Sequence, residues 1–552
     1  MRFFSFIGTL ALAAALIAAP VWAQTIEQAQ AAAGSPGQTV PARVARGLIV
    51  ELKPVSPDRQ TPQEVRNRLA AVARSAGLPA PDGTPPQVGE RGYLLRFAAP
   101  LQGAALDAAM QSIAADPAVQ SVTPDVRMRL QDVTPNDPYF SNGDQWYLRT
   151  TSDEAGGAAA LNLPQAWGMT AGRASPVVAV IDTGALFNHA DLVGRFIPGY
   201  NFINDVSAGN TGLGRNPDAS DPGDWISYAD LRNPYFMGCL PTDSSWHGSF
   251  IAGIIGAASN NAIGVAGIDW SAPILPVRVS GKCGAYLSDI VTGLRWAAGI
   301  SVNGVPNNPT PARIINLSIG DSGACDPQYQ KAIDEVTARG VLVVAAAGND
   351  SAAPNMPANC SGVLAVGAVR QDGLKTSYSN FGSGIGLMAP GGADQSGLFS
   401  DWITSTSNTG TRGPVLDAYV QNAGTSFASP MVAGVAALML AANPNLTSAQ
   451  LIALLRQSAR PFPSNPSYPD CRSGITTVCN CTQQTCGAGL LDAGAAVQLA
   501  LDANGGGGGN PGPDGGGNQG GNDSQGGGGA MGWLWGLGLW GLVAAAALRR
   551  RT

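Results

Sequence analysis

Charge is scarce in this chain of 552 residues: Asp, Glu, Lys and Arg make up 13%, and the acids outnumber the bases to leave a net charge of -6. There is no basic footprint for a nucleic-acid backbone, so that class of partner is excluded. Histidine is scarcer still. Only His189 and His247 are present, and neither follows Ser426. Any catalytic order in which a histidine base comes after a nucleophilic serine, as in the α/β-hydrolases, is thereby ruled out. Cysteine is missing before Cys239 and after Cys486, and the eight present are even in number. If they pair, the stapled part of the molecule is confined to the middle of the chain.

Shifts of composition divide what is there. Residues 1–23 carry Arg2, an apolar core and the small-residue sequence Val21-Trp22-Ala23, the pattern of a removable secretory signal. An oxidising destination suits disulfides. Residues 24–46 are rich in Ala, Gln and Pro without a period, and disorder is expected there. Residues 47–129 read as a small α+β unit. A strand at 48–52 precedes the capping box Thr61-Pro62-Gln63-Glu64, which opens a helix to about 75. A strand at 93–97, a helix at about 104–115 and a strand at 119–129 follow. At the other end, residues 503–530 are a glycine-rich tether that cannot build a core. Residues 531–548 are uncharged, at the lower limit of a membrane span, and 549–552 supply the basic stop of its cytoplasmic side.

Between them, residues 130–502 alternate short apolar runs with helical patterns. Runs at 177–181, 274–279, 314–318, 341–346 and 363–369 are of the kind buried on both faces. Segments 248–258, 288–299, 328–339, 426–443 and 447–459 read as helices. The fold class predicted is α/β, a doubly wound parallel sheet with helices on both faces. Ligands in such folds bind beyond the carboxyl ends of the strands.

Three chemical groups fall at those ends. Val178-Ala179-Val180-Ile181-Asp182-Thr183-Gly184 places an acid at the end of a buried strand, and Trp246-His247-Gly248 places a histidine at the start of an apolar helix. Ser426, in Gly424-Thr425-Ser426-Phe427-Ala428-Ser429-Pro430, opens another, with Pro430 expected in its first turn and the preceding residues expected as a polar loop. At a helix start the Ser426 N–H has no intrahelical acceptor, and the helix dipole favours negative charge developing nearby. A serine nucleophile needs a base near neutrality and an acid to orient it, which Asp182, His247 and Ser426 supply in that order. Asn349, ending Ala346-Ala347-Gly348-Asn349, offers a side-chain N–H that together with Ser426 N–H makes an oxyanion site.

These blocks, with Ile314-Ile315-Asn316-Leu317-Ser318-Ile319-Gly320 and in this order, resemble the subtilisin-like serine endopeptidases. The resemblance implies Asp182 as orienting acid, His247 as general base, Ser426 as nucleophile and Asn349 as oxyanion donor. It further implies that Ser318, Ile319 and Gly320 face Ala346, Ala347 and Gly348 across the pocket for the substrate side chain before the scissile bond. This chain departs from the family in having Ser249-Phe250 where Thr-His is usual and Ala190 where Pro is usual; neither position is catalytic. His189 is read as structural. The resemblance also implies a structural Ca2+, held by Asp137, Asp191 and Asn261 with the carbonyls of Ser259, Ile263 and Val265, since calcium takes about six to eight oxygens. Residues 47–129 resemble the family's inhibitory propeptide, and 503–552 the C-terminal sorting signals of Gram-negative surface proteins. Protein or peptide substrates, the propeptide as internal inhibitor, a transient membrane anchor and export to the surface or medium follow from this.

Two rivals stand beside that reading. Sedolisin-type acid peptidases use Glu where His247 stands and Asp where Asn349 stands, and a catalytically silent surface protein would share the scaffold. For the cysteines, placement around the strands predicts Cys239 with Cys283 and Cys325 with Cys360. Cys471, Cys479, Cys481 and Cys486 then pair among themselves in one of three ways.

Overall fold

The computed structural model describes residues 44–54, 61–75, 77–78, 83, 85–126, 133–393 and 401–505. The expected signal, most of the 24–46 segment and the C-terminal span and basic stop lie outside these residues. Two compact units divide between Thr134 and Pro135.

In the first unit, β1 (Val44–Leu52), α1 (Pro62–Ser75), β2 (Gln87–Val88), β3 (Gly92–Gln102), α2 (Gly103–Ala114) and β4 (Val119–Val126) follow one another. The antiparallel sheet has the order β2-β3-β1-β4. Leu48, Val50 and Leu52 alternate into its core against Val65, Leu69 and Val72 of α1 and Ile113 of α2. The capping box forms as written: Thr61 N–H donates to Glu64 at 2.7 Å and Glu64 N–H to Thr61 Oγ1 at 3.3 Å. Against expectation, β1 begins inside the stretch read as disordered, because Val44 and Ala45 pair with Gln102 and Leu101 and Ala45 is buried.

The second unit is built on a seven-stranded sheet. Its strands are β5 (Val178–Asp182), β6 (Tyr200–Asn201), β7 (Ile274–Arg278), β8 (Ile314–Leu317), β9 (Leu342–Ala346), β10 (Val363–Val369) and β11 (Leu387–Pro390). Their spatial order is β11-β10-β9-β8-β5-β7-β6, and all pairs are parallel. From β5 the chain goes first to one side, to β6 and β7, and then to the other, to β8. The strand order therefore reverses between β5 and β8, where such folds open a crevice. Helices α3 (His247–Gly256) and α6 (Thr425–Ala442) pack together against the sheet, and α4 (Leu287–Ala297) and α5 (Pro327–Thr337) form a second packed pair. Beyond α6 come α7 (Ser448–Gln457) and α8 (Ala493–Gly505), so the unit runs past residue 502.

Pro430 is not in the first turn: it lies inside α6, one turn further on. A proline there cannot donate to the carbonyl four residues back, that of Ser426. The hydroxyl of Ser318, just past β8, donates to that carbonyl instead, at 2.8 Å. The residues before α6 are also not a loop. Asp417–Asn422 is a strand, β13, paired antiparallel with β12 (Ile403–Asn408). Strand β12 is polar in sequence yet buried, because Ser405 and Thr406 donate to the carbonyls of Phe250 and Ser249 in α3, at 2.8 and 2.7 Å. Such close approach needs Gly253, where a Cβ would collide with both hydroxyls.

The structure bridges Cys239–Cys283, Cys325–Cys360, Cys471–Cys479 and Cys481–Cys486. The last two resolve the three-way choice in favour of short local loops.

Gly253→Ala raises helix propensity by about 1 kcal/mol, but it forces β12 off α3. Overpacking of this kind costs about 1–3 kcal/mol, so net destabilisation is expected. Urea unfolding of purified protein checks it, and a raised midpoint would mean that the two elements separate freely.

Candidate active site

Strand β5 ends in Asp182, which is buried, and α3 begins with His247. Both carboxylate oxygens of Asp182 meet His247 Nδ1, at 2.8 and 2.9 Å, and Thr183 N–H donates to Oδ1 at 2.8 Å. The imidazole is thus held by Nδ1, with Nε2 left for other work. Behind it lies a second ring of bonds. Gly248 N–H donates to Thr183 Oγ1 at 3.0 Å, and that hydroxyl donates to buried Asp221 at 2.6 Å. The Arg278 guanidinium, itself buried, donates to Thr183 O at 3.0 Å.

Ser426 is the second residue of α6 and lines the same cleft as Asp182 and His247, a space of about 390 Å³. Its Oγ donates to the Ser318 carbonyl at 3.2 Å, while Ser318 Oγ donates to the Ser426 carbonyl. In this rotamer the Ser426 hydroxyl is not bonded to His247; such contacts are often long or misaligned without substrate. Ser318 is in turn held by Asn316 Nδ2 at 2.9 Å, and Asn316 Oδ1 accepts from Ser429 Oγ at 2.7 Å.

Asn349 follows β9. Its Oδ1 accepts from both the N–H and the hydroxyl of Thr425, each at 2.9 Å. The amide oxygen is occupied, so the Nδ2 hydrogens are the part of Asn349 left for the cleft it lines with Ser426. Ser318, Ile319, Gly320, Ala346 and Gly348 also line the cleft. Ala347 does not. It is wholly buried, its N–H bonded to Val366 O and its carbonyl accepting from Asn355 N–H and Asn380 Nδ2.

Sequence reasoning missed Thr183, Asp221, Asp224, Thr425 and Asp350. Thr425 and Asp350 adjoin predicted residues; Asp221 and Asp224 sit in a loop with no chemical signature and arrive by folding alone. Asp224 accepts from the N–H and hydroxyl of Ser245, both at 2.7 Å, two residues before His247. Burial alone disfavours the His247 imidazolium. The Asp182 charge and hydrogen bond, with the charges of Asp224 and Asp221, outweigh it and hold the pKa above the ordinary value. Burial pushes the Asp221 carboxyl up to about 7.

His189 stands apart from this cleft. It is buried, accepts from Asp191 N–H at 3.2 Å through Nδ1, and meets Ala418 O at 3.2 Å through Nε2. Next to it, Asp137 and Asp191 are fully buried. Asp137 Oδ2 accepts from Asn260 N–H at 2.7 Å while Oδ1 has no hydrogen-bond partner. Asp191 accepts from Val265 N–H at 2.8 Å. Among the described residues, the carbonyls of Ser259, Ile263 and Val265 accept no hydrogen bond, as is also true of Asn260, Asn261 and Ala262, and within the 259–265 loop only the Gly264 carbonyl does. Two buried carboxylates and three free carbonyls suit a hard cation. Asn261 differs from expectation. Its oxygen accepts from Ile263 N–H at 2.9 Å and its nitrogen donates to Asp191 at 3.0 Å, so an amide flip is needed before its oxygen joins the set.

Residues 173–512 match the model of the subtilase family of peptidases. The chain belongs to the subtilase family. This subtilase is 42% identical over 373 residues to an extracellular protease of Xanthomonas campestris, covering 67% of this chain and 58% of the relative. It is 36% identical over 387 residues to an extracellular basic protease of Dichelobacter nodosus, covering 68% of this chain and 57% of the relative. It therefore spans under two thirds of the length of these relatives. A solved protease structure from Pseudoalteromonas arctica is 41% identical, with a TM-score of 0.59, over 67% of this chain and 100% of that one.

With only two histidines in the chain, the His247 imidazole can be titrated by NMR. Its midpoint should lie above the ordinary value of about 6.5. In Asp224→Asn one negative charge is lost, the proton is held less firmly and the midpoint should fall. A midpoint that stays or rises would remove Asp224 from this electrostatic set.

Proposed function

We propose that this subtilase is a serine endopeptidase that hydrolyses peptide bonds in proteins through Asp182, His247 and Ser426. In the proposed cycle His247 Nε2 takes the Ser426 proton as Oγ attacks the carbonyl carbon, and Asp182 steadies the imidazolium through Nδ1. Ser426 N–H and Asn349 Nδ2 donate to the oxyanion. His247 then protonates the leaving amine, an acyl-enzyme forms on Ser426, and water activated by the same imidazole releases the acid. The single observation that carries this reading is the doubly bonded Asp182–His247 pair in one cleft with Ser426, beside an Asn349 amide turned by Thr425.

The presence of His247 and Asn349 argues against a sedolisin-type site, and an intact set of groups argues against a silent scaffold. Names of the similar proteases support secretion. Residues 47–129, a compact α+β unit preceding the subtilase domain, are read as a propeptide that the mature enzyme removes. The free carbonyls and the orphaned Asp137 oxygen support a structural Ca2+ held by Asp137, Asp191, Ser259, Ile263 and Val265, joined by Asn261 after its flip. Such an ion would pin the segment around Asp137 to the 259–265 loop.

Ser426→Ala should lower kcat by on the order of a million-fold, the magnitude known for subtilisin itself. It should also accumulate as uncut precursor. Peptide hydrolysis and intact mass read the two effects; a processed, active variant would sink the assignment, and failure of a fluorophosphonate to label parent Ser426 would revive the silent scaffold.

Chelator in excess should lower the thermal midpoint of the mature enzyme, since an ion bound only by the native state stabilises it by mass action. Added Ca2+ should restore it. A midpoint indifferent to both would remove the calcium reading.

A further inference from the structure

Lys375 is fully buried although it carries an ammonium group. Its Nζ donates to the carbonyls of Thr376 at 2.6 Å, Ser379 at 3.0 Å and Ser377 at 3.4 Å, with Ser351 Oγ at 3.5 Å. The Phe381 ring lies 4.9 Å away and presents its face to the cation. None of these partners is a carboxylate. A buried charge without a counter-charge is costly unless its hydrogen bonds are met, and burial pushes this ammonium down to about 8. Neutral oxygens from one turn of backbone, converging on one cation, are how proteins build monovalent-ion sites. Here the ion is tethered to the chain.

The same turn is sewn to the segment that carries Asn349. Asn380 N–H donates to Gly348 O at 2.9 Å, Phe381 N–H to Ala352 O at 2.8 Å, and Ser351 N–H to Tyr378 O at 2.8 Å. Asn380 Oδ1 accepts from the N–H of Asp350 and of Ala352, each at 2.9 Å, and its Nδ2 donates to Ala347 O at 3.0 Å. Residues 347–352 thus have their course set by a turn whose inward carbonyls are met by the Lys375 ammonium.

We infer that Lys375 is a positioning residue for Asn349, and that removing its side chain leaves a carbonyl cage that a free ammonium or potassium ion occupies. The inference rests on Asn349 as the oxyanion donor. Lys375→Ala in the full chain should lower kcat for a chromogenic peptide at least about tenfold, with little change in KM. The loss should not exceed the roughly hundred- to thousandfold that follows removal of one oxyanion donor. Ammonium or propylammonium chloride should restore kcat, and tetramethylammonium chloride at equal ionic strength should not, since it donates no hydrogen bond. Lys375→Met should resist rescue, its side chain filling the cage without a donor. In an Asn349→Ala background Lys375→Ala should cost little more.

An unchanged kcat, a loss that ammonium relieves no better than tetramethylammonium, or a full-size loss in the Asn349→Ala background would overturn the inference. Where Lys375→Ala folds poorly, the folded yield becomes the readout and must rise with ammonium alone; indifference to it is equally fatal. If Asn349→Ala itself leaves kcat at the parent value, the oxyanion reading falls, and the cage is judged by the ammonium dependence of the Lys375→Ala thermal midpoint.

Discussion

Helix α6 is buried on nearly every side, and a buried helix cannot leave its end groups bare. Its first turn needs acceptors, and Pro430 strips one more carbonyl of its donor. The protein answers with strand ends. Thr425 N–H goes to Asn349 beyond β9, and the Ser426 carbonyl takes the hydroxyl of Ser318 beyond β8. Among the described residues the Ser426 N–H is left without an acceptor, and Ser426 lines the cleft where the proposed oxyanion would form. The proposed chemistry and the packing of α6 are therefore one problem with one solution.

The charges beside the cleft obey a related constraint. Asp182 and Asp221 are both buried within the influence of His247, and burial alone would disfavour every charged form. Each carboxylate meets backbone or hydroxyl donors: Thr183 N–H for Asp182, and Thr183 Oγ1 with Gly223 N–H for Asp221, where burial still prevails and pushes the carboxyl up to about 7. Arg278, bonded to three oxygens from separate segments, adds a fixed positive charge close by. Thr183 thus joins two acids, the helix that carries His247 and the guanidinium, so its orientation bears on the whole acid side of the site.

Polar burial explains where pattern reading failed. Strand β12 reads Ile403-Thr404-Ser405-Thr406-Ser407-Asn408, and nothing in that run suggests a core element. It is buried because α3 offers carbonyls for its hydroxyls and Gly253 removes the side chain that would keep it away. Similarly, β1 extends back to Val44 because β3 is long enough to pair with it, a fact that no local composition carries.

From residue order alone came the apolar runs at 177–181, 314–318 and 341–346, the helices opening beside His247 and at Ser426, and the groups named at each junction. Those features are local, since hydrophobic run length and the residue at a run's end are written in neighbouring positions. Tertiary structure alone decided the rest. It placed Asp221 and Asp224 beside His247, turned Asn349 by means of Thr425, set Ala347 out of the cleft and gathered four oxygens around Lys375. Apart from the cage, where three of the four oxygens lie within four residues of Lys375 and only Ser351 comes from further away, these features depend on hydrogen bonds between segments far apart in the chain, and the direction of a buried polar side chain is chosen by whichever distant partner satisfies it.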